Sequence, residues 1–460
     1  MAYRAGAWRP LFRILLTLLA MIAVAVRPSM AQSILRDAET EALFQDMMDP
    51  LLVAAGLQPG QVRVHLLGDR SINAFVAGSQ DIYVFSGLIE AADSAEEVQG
   101  VLAHELGHVI GGHAIRVNDG AKTATNISLL SLLLGAAAIA AGAGEAGMGV
   151  MMAGQQAALG KFLAFTRVQE STADAAGAQY LSKAGISGRG SLAFFKKLQN
   201  LEFRYGIKQD DDQAYGRTHP MSGDRIQALR EVYVVDPAWT KAADPAIEAR
   251  FQRVKAKLSG YIADPDRTLR KFPESNTSVP ARYARAYAWH RSAYPQKALA
   301  EVEGLLKTNP EDPYFLELEG QVLLESGRPK EAIPALRKAV TNSRSQPLIS
   351  ATLGHALIAT EDQANFAEAE DVLKTAVALD NKNPFAWYQL GIVYANKGDQ
   401  ARAALASAER YSLEGGQSEL ALRNAELAMQ GLPQESPDWI RAQDISLVAR
   451  AEVERTRKRR

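Results

Sequence analysis

The 460-residue sequence predicts a mainly α protein, in which an α+β unit with a small β-sheet precedes an α-solenoid of helical repeats. Apolar residues recur at helical spacing over most of the chain, whereas residues 61–67 and 81–85 have the pattern of strands. In the C-terminal part, a glycine returns in similar contexts at intervals of 34 (354 − 320) and 37 (391 − 354) residues, which is typical of stacked helix pairs. The chain therefore combines two differently built units.

Composition limits the kinds of protein that this chain can be. Hydrophobic residues make up 47% of the sequence, which is ample for buried cores in two or three domains. The absence of cysteine excludes disulfides, thiolate metal ligands and a lipid anchor on an N-terminal cysteine. A formal net charge of −1 gives no indication of a nucleic-acid partner, and we expect none.

The first 31 residues have the pattern of a signal peptide. Three arginines precede an uncharged apolar run over residues 14–26, and small residues stand at the cleavage positions before and at Ala31. The run is short for a membrane span, although an uncleaved anchor is the alternative. We therefore predict export from the cytoplasm, with cleavage after Ala31.

The segment after this site is predicted to begin with a helix and two strands. Residues 34–56 have the apolar spacing of an amphipathic helix, which Pro59-Gly60 ends. Residues 61–67 alternate between polar and apolar side chains, and residues 81–85 form a second short strand pattern. His65 lies within the first strand and needs no special role.

The most informative motif is H-E-x-x-H at residues 104–108, in the middle of an apolar helical pattern. A capping box at residues 94–97 marks the start of this helix. Residues four apart lie on one helix face, so His104 and His108 can direct two imidazole nitrogens at one metal ion, with Glu105 beside them as a general base. The alternative is a solvated helix that carries two histidines by chance.

A third ligand decides between these interpretations. Glu170 and Asp174 are again four apart, on an alanine-rich helix that suits close packing. Two carboxylates on one face repel each other unless a positive charge lies near, and a metal ion with its histidines would supply that charge. A solvated acidic face is the alternative. His113 is rejected as a ligand, because a continuous helix would place it on the face opposite His104.

Together these motifs resemble the M48 family of zinc metallopeptidases, whose catalytic domains are gluzincin-like. The family signature is H-E-x-x-H followed later by E-x-x-x-D, and this chain carries it at residues 104–108 and 170–174. Residues 73–88 resemble the strand pair that precedes the zinc helix, and residues 218–226 resemble a later histidine–proline segment. The resemblance covers about residues 35–260.

The resemblance implies a role for each residue of the signature. One zinc ion per chain would be held by His104, His108 and Glu170, with water in the fourth position. Glu105 would act as the general base. Asp174 would support one of the ligands through a hydrogen bond without touching the metal.

Two further residues come from the histidine–proline segment. By resemblance, Arg225 would contact the substrate or its oxyanion. Pro220 restricts the backbone before it to extended conformations, so the loop can project the imidazole of His219 towards the cleft. We predict that His219 is a fourth, regulatory zinc ligand that holds the resting enzyme inactive. The alternative is that His219 only caps or packs at the rim of the site.

An uncharged stretch separates the two halves of the predicted site. Residues 123–144 contain no charged side chain, and a second uncharged run covers residues 146–160. A single membrane span here would place Glu170 across the membrane from His104, although both must meet one metal ion. We predict that residues 123–160 form a helical hairpin that packs on the catalytic domain or contacts a membrane surface. A buried pair of alanine- and glycine-rich helices is the alternative.

The C-terminal part resembles tetratricopeptide repeats. Trp387, Leu390, Gly391, Tyr394 and Ala403 fit the W-x2-L-G-x2-Y…A pattern of one such unit. Four units, with a fifth partial one, would stack into a short superhelix. Repeats of this kind usually bind partner proteins, and a purely structural role is the alternative.

These assignments divide the chain into five parts: a signal peptide (1–31), a metallopeptidase domain (32–262), a linker (263–281), a repeat domain (282–445) and a basic helical tail (446–460). By resemblance, the expected function is that of a periplasmic zinc endopeptidase in quality control and assembly of outer-membrane proteins. Its substrates would be proteins or peptides, and its repeats would dock clients or the envelope protein-assembly machinery. The rival hypothesis is a chaperone or scaffold whose protease site is normally silent.

Overall fold

The computed structural model describes residues 34–78, 80–140, 143–205, 219 and 222–459. The predicted signal peptide and Pro220 lie outside the described residues. The described chain is mainly helical, with one small sheet near its start, so the predicted fold class is confirmed.

A four-stranded sheet forms one layer of the N-terminal unit. Its strands are β1 (Ile34–Leu35), β2 (Arg63–Leu67), β3 (Ala74–Ala77) and β4 (Asp81–Phe85), in the spatial order β1-β2-β4-β3. β2 runs parallel to β4, whereas β3 pairs antiparallel with β4 and forms an edge of the sheet. The pairing of β3 leaves its other side open, because no further described strand lies beyond it.

The first helix begins later than the sequence pattern indicated. Residues 34 and 35 were expected to be helical, but they pair with β2 as strand β1. The helix starts only after Asp37, because the Asp37 side chain accepts a hydrogen bond from the backbone N–H of Thr40 at 2.8 Å. The apolar side chains of residues 34–35 gave the same periodic signal as the helix that follows.

In the described part of the N-terminal unit, eight α-helices accompany the sheet. They are α1 (Ala38–Ala54), α2 (Ser86–Ala91), α3 (Ala95–Ile110), α4 (His113–Ala140), α5 (Gly144–Ala184), α6 (Arg189–Tyr205), α7 (Gly223–Val234) and α8 (Pro245–Ile262). α3 lies in the middle and packs against α5 and α6. Its apolar residues Val98, Val101, Leu102 and Leu106 are fully buried in a core that also includes the inner face of the sheet.

Two glycines set the distance between α3 and α5. A Cβ atom at Gly107 would lie 2.7 Å from the carbonyl oxygen of Ala173, and one at Gly177 would lie 3.0 Å from the backbone of Ala103. Side chains at either position would push the helices apart, so α3 and α5 approach almost backbone to backbone. This contact holds residues 170–174 directly opposite the H-E-x-x-H motif.

α4 and α5 form the hairpin predicted over residues 123–160. Close approaches of Gly135 to Gly147 and of Gly154 to Ser131 join the two helices in antiparallel register. The apolar side chains point away from this contact: Leu130 is 58% exposed and Leu133 is 62% exposed. By length and composition α4 could cross a membrane, and only 11% of its most apolar window is buried. The alternative of a buried helix pair is therefore wrong.

The C-terminal unit is a series of helix pairs. The helices are α10 (Val279–Arg291), α11 (Pro295–Leu306), α12 (Pro313–Glu325), α13 (Pro329–Asn342), α14 (Pro347–Ala359), α15 (Phe366–Leu379), α16 (Pro384–Asn396), α17 (Gln400–Glu414), α18 (Ser418–Gly431) and α19 (Pro437–Arg459), preceded by the short α9 (Pro265–Lys271). Within two pairs the repeat glycine allows close packing: a Cβ at Gly320 would meet Leu336, and one at Gly354 would meet Leu373. The predicted basic tail continues α19 without a break.

The segment predicted as a linker is folded against both units. It contains α9, and the buried guanidinium of Arg285 donates hydrogen bonds to the carbonyl oxygens of Pro273 (2.9 Å) and Asn276 (2.8 Å). α8 packs against α10 across this segment. The composition of residues 263–281 favoured turns, and the contacts made by Arg285 hold those turns in one conformation.

A buried ionic cluster joins the two units. Glu39 at the start of α1 is fully buried, and its carboxylate accepts a hydrogen bond from the Tyr283 hydroxyl of α10 at 2.7 Å. Arg253 of α8 contacts Glu39 and also donates to Asp312 of the repeat unit at 2.7 Å. Beside this cluster lies a cavity of about 580 Å³, lined by β1, α8 and four repeat helices. The two units therefore share one interface and one concave surface.

Candidate metal centre

The local sequence places the H-E-x-x-H residues in the most buried part of the chain. Ser94 caps α3 by accepting a hydrogen bond from the backbone N–H of Glu97 at 3.4 Å. From there the helix runs through the core, so that His104 is 2% exposed, Glu105 is 0% exposed and His108 is 7% exposed. The solvated-helix alternative is excluded, because all three side chains are buried.

α5 brings the acidic pair to the same place. Glu170 Oε2 lies 3.5 Å from His104 Nε2, and Glu170 Oε1 lies 3.4 Å from His108 Nε2. Asp174, one turn later, has its Oδ1 2.9 Å from the other nitrogen of His104, Nδ1. Glu170 therefore lies against both imidazoles, whereas Asp174 lies behind one of them. The alternative of a solvated acidic face is excluded by the burial of both carboxylates.

His219 completes a group of four donor residues. Its Nδ1 lies 3.4 Å from His104 Nε2 and 3.1 Å from Glu170 Oε1, and its side chain is buried. Its second nitrogen, Nε2, lies 3.6 Å from Glu105 Oε1. The structure thus places His219 inside the cluster and not at its rim.

The geometry of the group fits a tetrahedral cation. The donor atoms of His104, His108, Glu170 and His219 all lie within 4.8 Å of one another, and neighbouring donors are 3.1 to 3.5 Å apart. Ligand atoms about 2.0–2.1 Å from a tetrahedral zinc ion are separated by about 3.3–3.4 Å. Three imidazoles and one carboxylate are also a donor set that suits a divalent metal of this size. These four residues can hold one divalent ion.

Glu105 stands beside the group without taking part in it. Neither of its carboxylate oxygens has a hydrogen-bond partner among the described residues, although the side chain is fully buried. A buried carboxylate that accepts no hydrogen bond is costly, because its desolvation is not fully compensated. Such a group is expected where a water molecule or a substrate has to be bound, and this is the position that a general base requires.

Arg225 holds the two carboxylates of α5. Its Nε donates to Asp174 Oδ2 at 2.7 Å, Nη2 donates to Asp174 Oδ1 at 2.8 Å, and Nη1 lies 2.9 Å from Glu170 Oε2. These charge-assisted contacts hold the guanidinium on the two buried carboxylates. They do not test the expected contact with a substrate oxyanion, which stays a prediction.

The charged groups of the cluster shift one another's pKa. Burial opposes ionisation of Glu170, but its contacts with the imidazoles of His104, His108 and His219 hold its pKa well below the usual range. Burial opposes ionisation of Asp174 too, and Arg225 outweighs it to lower the pKa. Burial alone would lower the pKa of His104, but Asp174 and Glu170 raise it to about 10. Without a metal ion this favours the doubly protonated, imidazolium form of His104, and a bound cation would have to displace the proton on Nε2.

His113 does not lie where a continuous helix would place it. A continuous helix would have carried it to the far side of α3, but α3 ends at Ile110 and the chain reverses through Gly112, whose φ is +62°. His113 Nδ1 consequently lies 2.8 Å from His108 Nδ1. His113 is still not among the four metal-binding candidates. The Gly-Gly pair after the motif was the sequence signal for this reversal.

Comparisons with known proteins agree with this geometry. Residues 35–233 match the model of peptidase family M48, and residues 291–347 and 358–426 match a tetratricopeptide repeat model. The first match contains both halves of the metal-binding group, and the second lies within the series of helix pairs.

Three curated proteins illustrate the similarity. The putative beta-barrel assembly-enhancing protease of Vibrio cholerae serotype O1 is 28% identical over 258 residues, which are 55% of this chain and 52% of that protein. The beta-barrel assembly-enhancing protease of Escherichia coli (strain K12) is 22% identical over 353 residues, or 76% of this chain and 71% of that protein. Metalloprotease LoiP of Escherichia coli (strain K12) is 33% identical over 179 residues, which are 38% of this chain and 63% of that protein. The chain thus spans between about half and 71% of these relatives.

The fold and the site together define a metalloendopeptidase domain of the H-E-x-x-H class. More particularly, the chain consists of a peptidase M48 domain followed by C-terminal tetratricopeptide repeats.

Proposed function

We propose that this chain is an exported zinc endopeptidase that acts in the periplasm, in the quality control and assembly of outer-membrane proteins. The observation that carries the proposal is the Glu105 carboxylate, which is fully buried, accepts no hydrogen bond from the described residues and lies beside a group of three imidazoles and one carboxylate. The names of the two beta-barrel assembly-enhancing relatives support the placement in outer-membrane assembly. The predicted signal peptide supports the location.

In this proposal His104, His108 and Glu170 hold the metal, with His219 as a fourth ligand in the resting state. Zinc would supply a Lewis acid that polarises the scissile carbonyl. Glu105 accepts the proton of the attacking water at a carboxylate oxygen and then delivers it to the leaving amine. Asp174 orients His104 through Nδ1, so that Nε2 faces the metal position.

Arg225 has a positioning role in the same proposal. It neutralises the like charges of Glu170 and Asp174, which lie one helical turn apart in a buried environment. The substrate would be a protein or peptide in extended form. The open edge of strand β3 can add such a segment as a further antiparallel strand, with main-chain hydrogen bonds as the source of affinity.

The position of His219 supports a resting form that is inactive. An imidazole in the fourth position leaves no place for water, and its Nε2 also occupies the space next to the base Glu105. Substrate, or a partner bound to the repeats, would have to withdraw His219 before hydrolysis. This is also the observation that favours the rival function, a chaperone or scaffold whose protease is silent most of the time.

The repeats and the hairpin would provide the surfaces that bind partners. The cavity of about 580 Å³ between the two units is lined by repeat residues including Gln321, His355 and Phe385, and would dock clients or assembly machinery. The exposed leucines of the α4–α5 hairpin would contact a membrane surface, because they point outward on several sides and no charged residue interrupts them between residues 123 and 144.

One experiment tests the enzymatic part of this proposal. The mature protein and its Glu105→Gln variant are compared for zinc content and for turnover of unfolded casein. We expect one zinc per chain in both, with casein cleaved only by the parent protein or by a variant that lacks His219. Zinc-loaded protein that cleaves no casein with or without His219 would instead favour the chaperone.

A further inference from the structure

We propose that His113 and Thr172 fix the tautomer of His108, so that His108 Nδ1 carries the proton and Nε2 remains free to bind the metal. The inference rests on the metal site of the proposed function, but it concerns two residues outside the metal-binding group. Its first readout, the tautomer, does not depend on hydrolysis. His113 is thus a positioning residue.

The Gly111–Gly112 turn brings His113 to His108. A Cβ atom at Gly111 would lie 2.4 Å from His113 Nε2, so the His113 ring fills the space that any side chain at position 111 would need. The two imidazoles meet edge to face, with centroids 4.9 Å apart and planes at 77°. Their Nδ1 atoms lie 2.8 Å apart, which is a hydrogen-bond distance. One nitrogen must therefore donate and the other accept.

Thr172 decides which nitrogen donates. Its hydroxyl has one proton, and its oxygen lies 3.0 Å from the Val168 carbonyl and 2.9 Å from the Gln169 carbonyl, both of which can only accept. We assign the hydroxyl proton to one of these carbonyls, which is the usual arrangement for a threonine within a helix. The same oxygen lies 3.3 Å from His113 Nε2 and can only accept there, so His113 Nε2 carries a proton.

The remaining protons follow from the valence of a neutral imidazole. With Nε2 protonated, His113 Nδ1 has a free lone pair and accepts from His108 Nδ1–H. His108 Nε2 is then unprotonated, and it faces Glu170 Oε1 at 3.4 Å and His104 Nε2 at 3.1 Å. The chain Thr172–His113–His108 thus selects the tautomer that a metal ligand needs. Partners of this kind orient ligand imidazoles and raise their basicity.

The partner of His108 Nδ1 differs in charge from the partner of His104 Nδ1. His104 Nδ1 faces the Asp174 carboxylate, whereas His108 Nδ1 faces a neutral acceptor. A neutral acceptor adds no further negative charge to a cluster that already holds Glu170 and Asp174. His113 therefore fixes the orientation of His108 without changing the charge balance of the site.

The test compares the parent protein with His113→Phe, which keeps a ring but removes the acceptor, and His113→Asn, whose amide oxygen restores one. Nitrogen-15 spectra of the metal-free proteins report which nitrogen of His108 carries the proton. Zinc affinity is measured by competition with a chromophoric chelator. We expect His108 to be protonated at Nδ1 in the parent, with an affinity loss of about 10- to 100-fold in His113→Phe and partial recovery in His113→Asn.

His290→Phe is the matched control, because His290 pairs with Glu325 in the repeats, far along the chain from the metal centre. It should leave both readouts unchanged. A His108 that is protonated at Nε2 in the parent protein overturns the proposal, and so does a His113→Phe variant with parental zinc affinity. If His113→Phe does not fold, the His108 tautomer in the parent protein and the zinc affinity of Thr172→Val still test the proposal.

Discussion

Nε2 of His219 lies 3.6 Å from Oε1 of Glu105, while Nδ1 of the same ring lies 3.1 Å from Oε1 of Glu170. One imidazole thus contacts both the candidate base and a candidate metal ligand. A substrate carbonyl and an attacking water would need this same space. In the proposed function, withdrawal of His219 would therefore free the water position on the metal and the space beside Glu105 at the same time.

Replacement of His219 should raise basal proteolysis. His219→Ala leaves three protein ligands and opens the fourth position, so casein cleavage should increase by about tenfold if the open form makes up about a tenth of the resting protein. Turnover is measured under identical zinc loading, with His355→Ala in the repeats as the control. Unchanged or lower turnover in His219→Ala would show that the imidazole does not close the site.

Replacement of Glu105 should separate metal binding from hydrolysis. Glu105→Gln keeps the shape of the side chain and removes the base, which should reduce turnover by about 10²- to 10⁴-fold. Because Glu105 is outside the metal-binding group, zinc content by atomic absorption should stay at one per chain. Zinc loss in this variant would mean that Glu105 is a ligand, and full activity would mean that it is not the base.

Replacement of Arg225 should destabilise the metal-free protein more than the zinc-loaded one. Arg225→Gln leaves the buried carboxylates of Glu170 and Asp174 without their cation, and removal of one partner of a buried ion pair costs about 3–5 kcal/mol. A bound zinc ion would restore part of the missing positive charge. Urea unfolding with and without zinc measures both quantities.

The control for Arg225 is Arg337→Gln. Arg337 pairs with Glu368 on the surface, where its side chain is 49% exposed. Loss of such a pair costs about 0–1 kcal/mol. If the Arg225 variant is no less stable than this control, Arg225 does not hold the two carboxylates as described.

The exposed hairpin should bind lipid. Leu130→Ser with Leu133→Ser removes two side chains that are 58% and 62% exposed on α4, and should reduce flotation with phosphatidylcholine vesicles by about tenfold or more. Leu427→Ser with Leu447→Ser is matched in exposure, at 52% and 59%, but lies in the repeats. Parent protein that does not float, or a control that loses flotation equally, contradicts a membrane role of the hairpin.

Glu317 should make stability fall as pH rises. Burial raises its pKa to about 8, in a position that faces Lys257, Asp37 and Glu39 at the interface of the two units. The unfolded pKa of a glutamate is about 4.3, which is lower than the folded value of Glu317. The protonated side chain therefore stabilises the fold fully below about pH 4.3, and this contribution is lost as the pH rises through about 8.

The free energy of unfolding of the parent should therefore decrease relative to Glu317→Gln between pH 5 and 8, by up to about 1.4 kcal/mol per pH unit. Denaturant titrations of both proteins at three pH values measure this difference, in which the contributions of other groups cancel. The same substitution at the exposed Glu435 is the control. A difference that is constant with pH would show that Glu317 is ionised in the fold throughout this range.

Much of the site could be predicted from the sequence because it depends on spacing within single helices. His104 and His108 are four residues apart, and so are Glu170 and Asp174, which places each pair on one helix face wherever the helices lie. The repeat pattern around Gly320, Gly354 and Gly391 is local in the same sense, since Gly320 and Gly354 each mark a close contact within their own helix pair.

Other parts depended on contacts between distant segments, which periodicity does not report. The packing of α7 against α5 sets Arg225 on Glu170 and Asp174. The segment 263–281 has a turn-rich composition, but Arg285 and α9 fold it into the interface. In both cases a buried arginine contacts acceptors in another element, and the local sequence contains no signal for that contact.

The sequence by itself determined which residues can face one another within a helix, and therefore the candidate ligands and the candidate base. Only the tertiary structure decided how His113 is used. Two glycines end α3 and allow a positive φ, so the chain turns back and the ring meets His108 at 2.8 Å instead of facing away. Helical spacing describes a residue only as long as the helix continues, and beyond that point the packing of α4 and α5 sets the geometry.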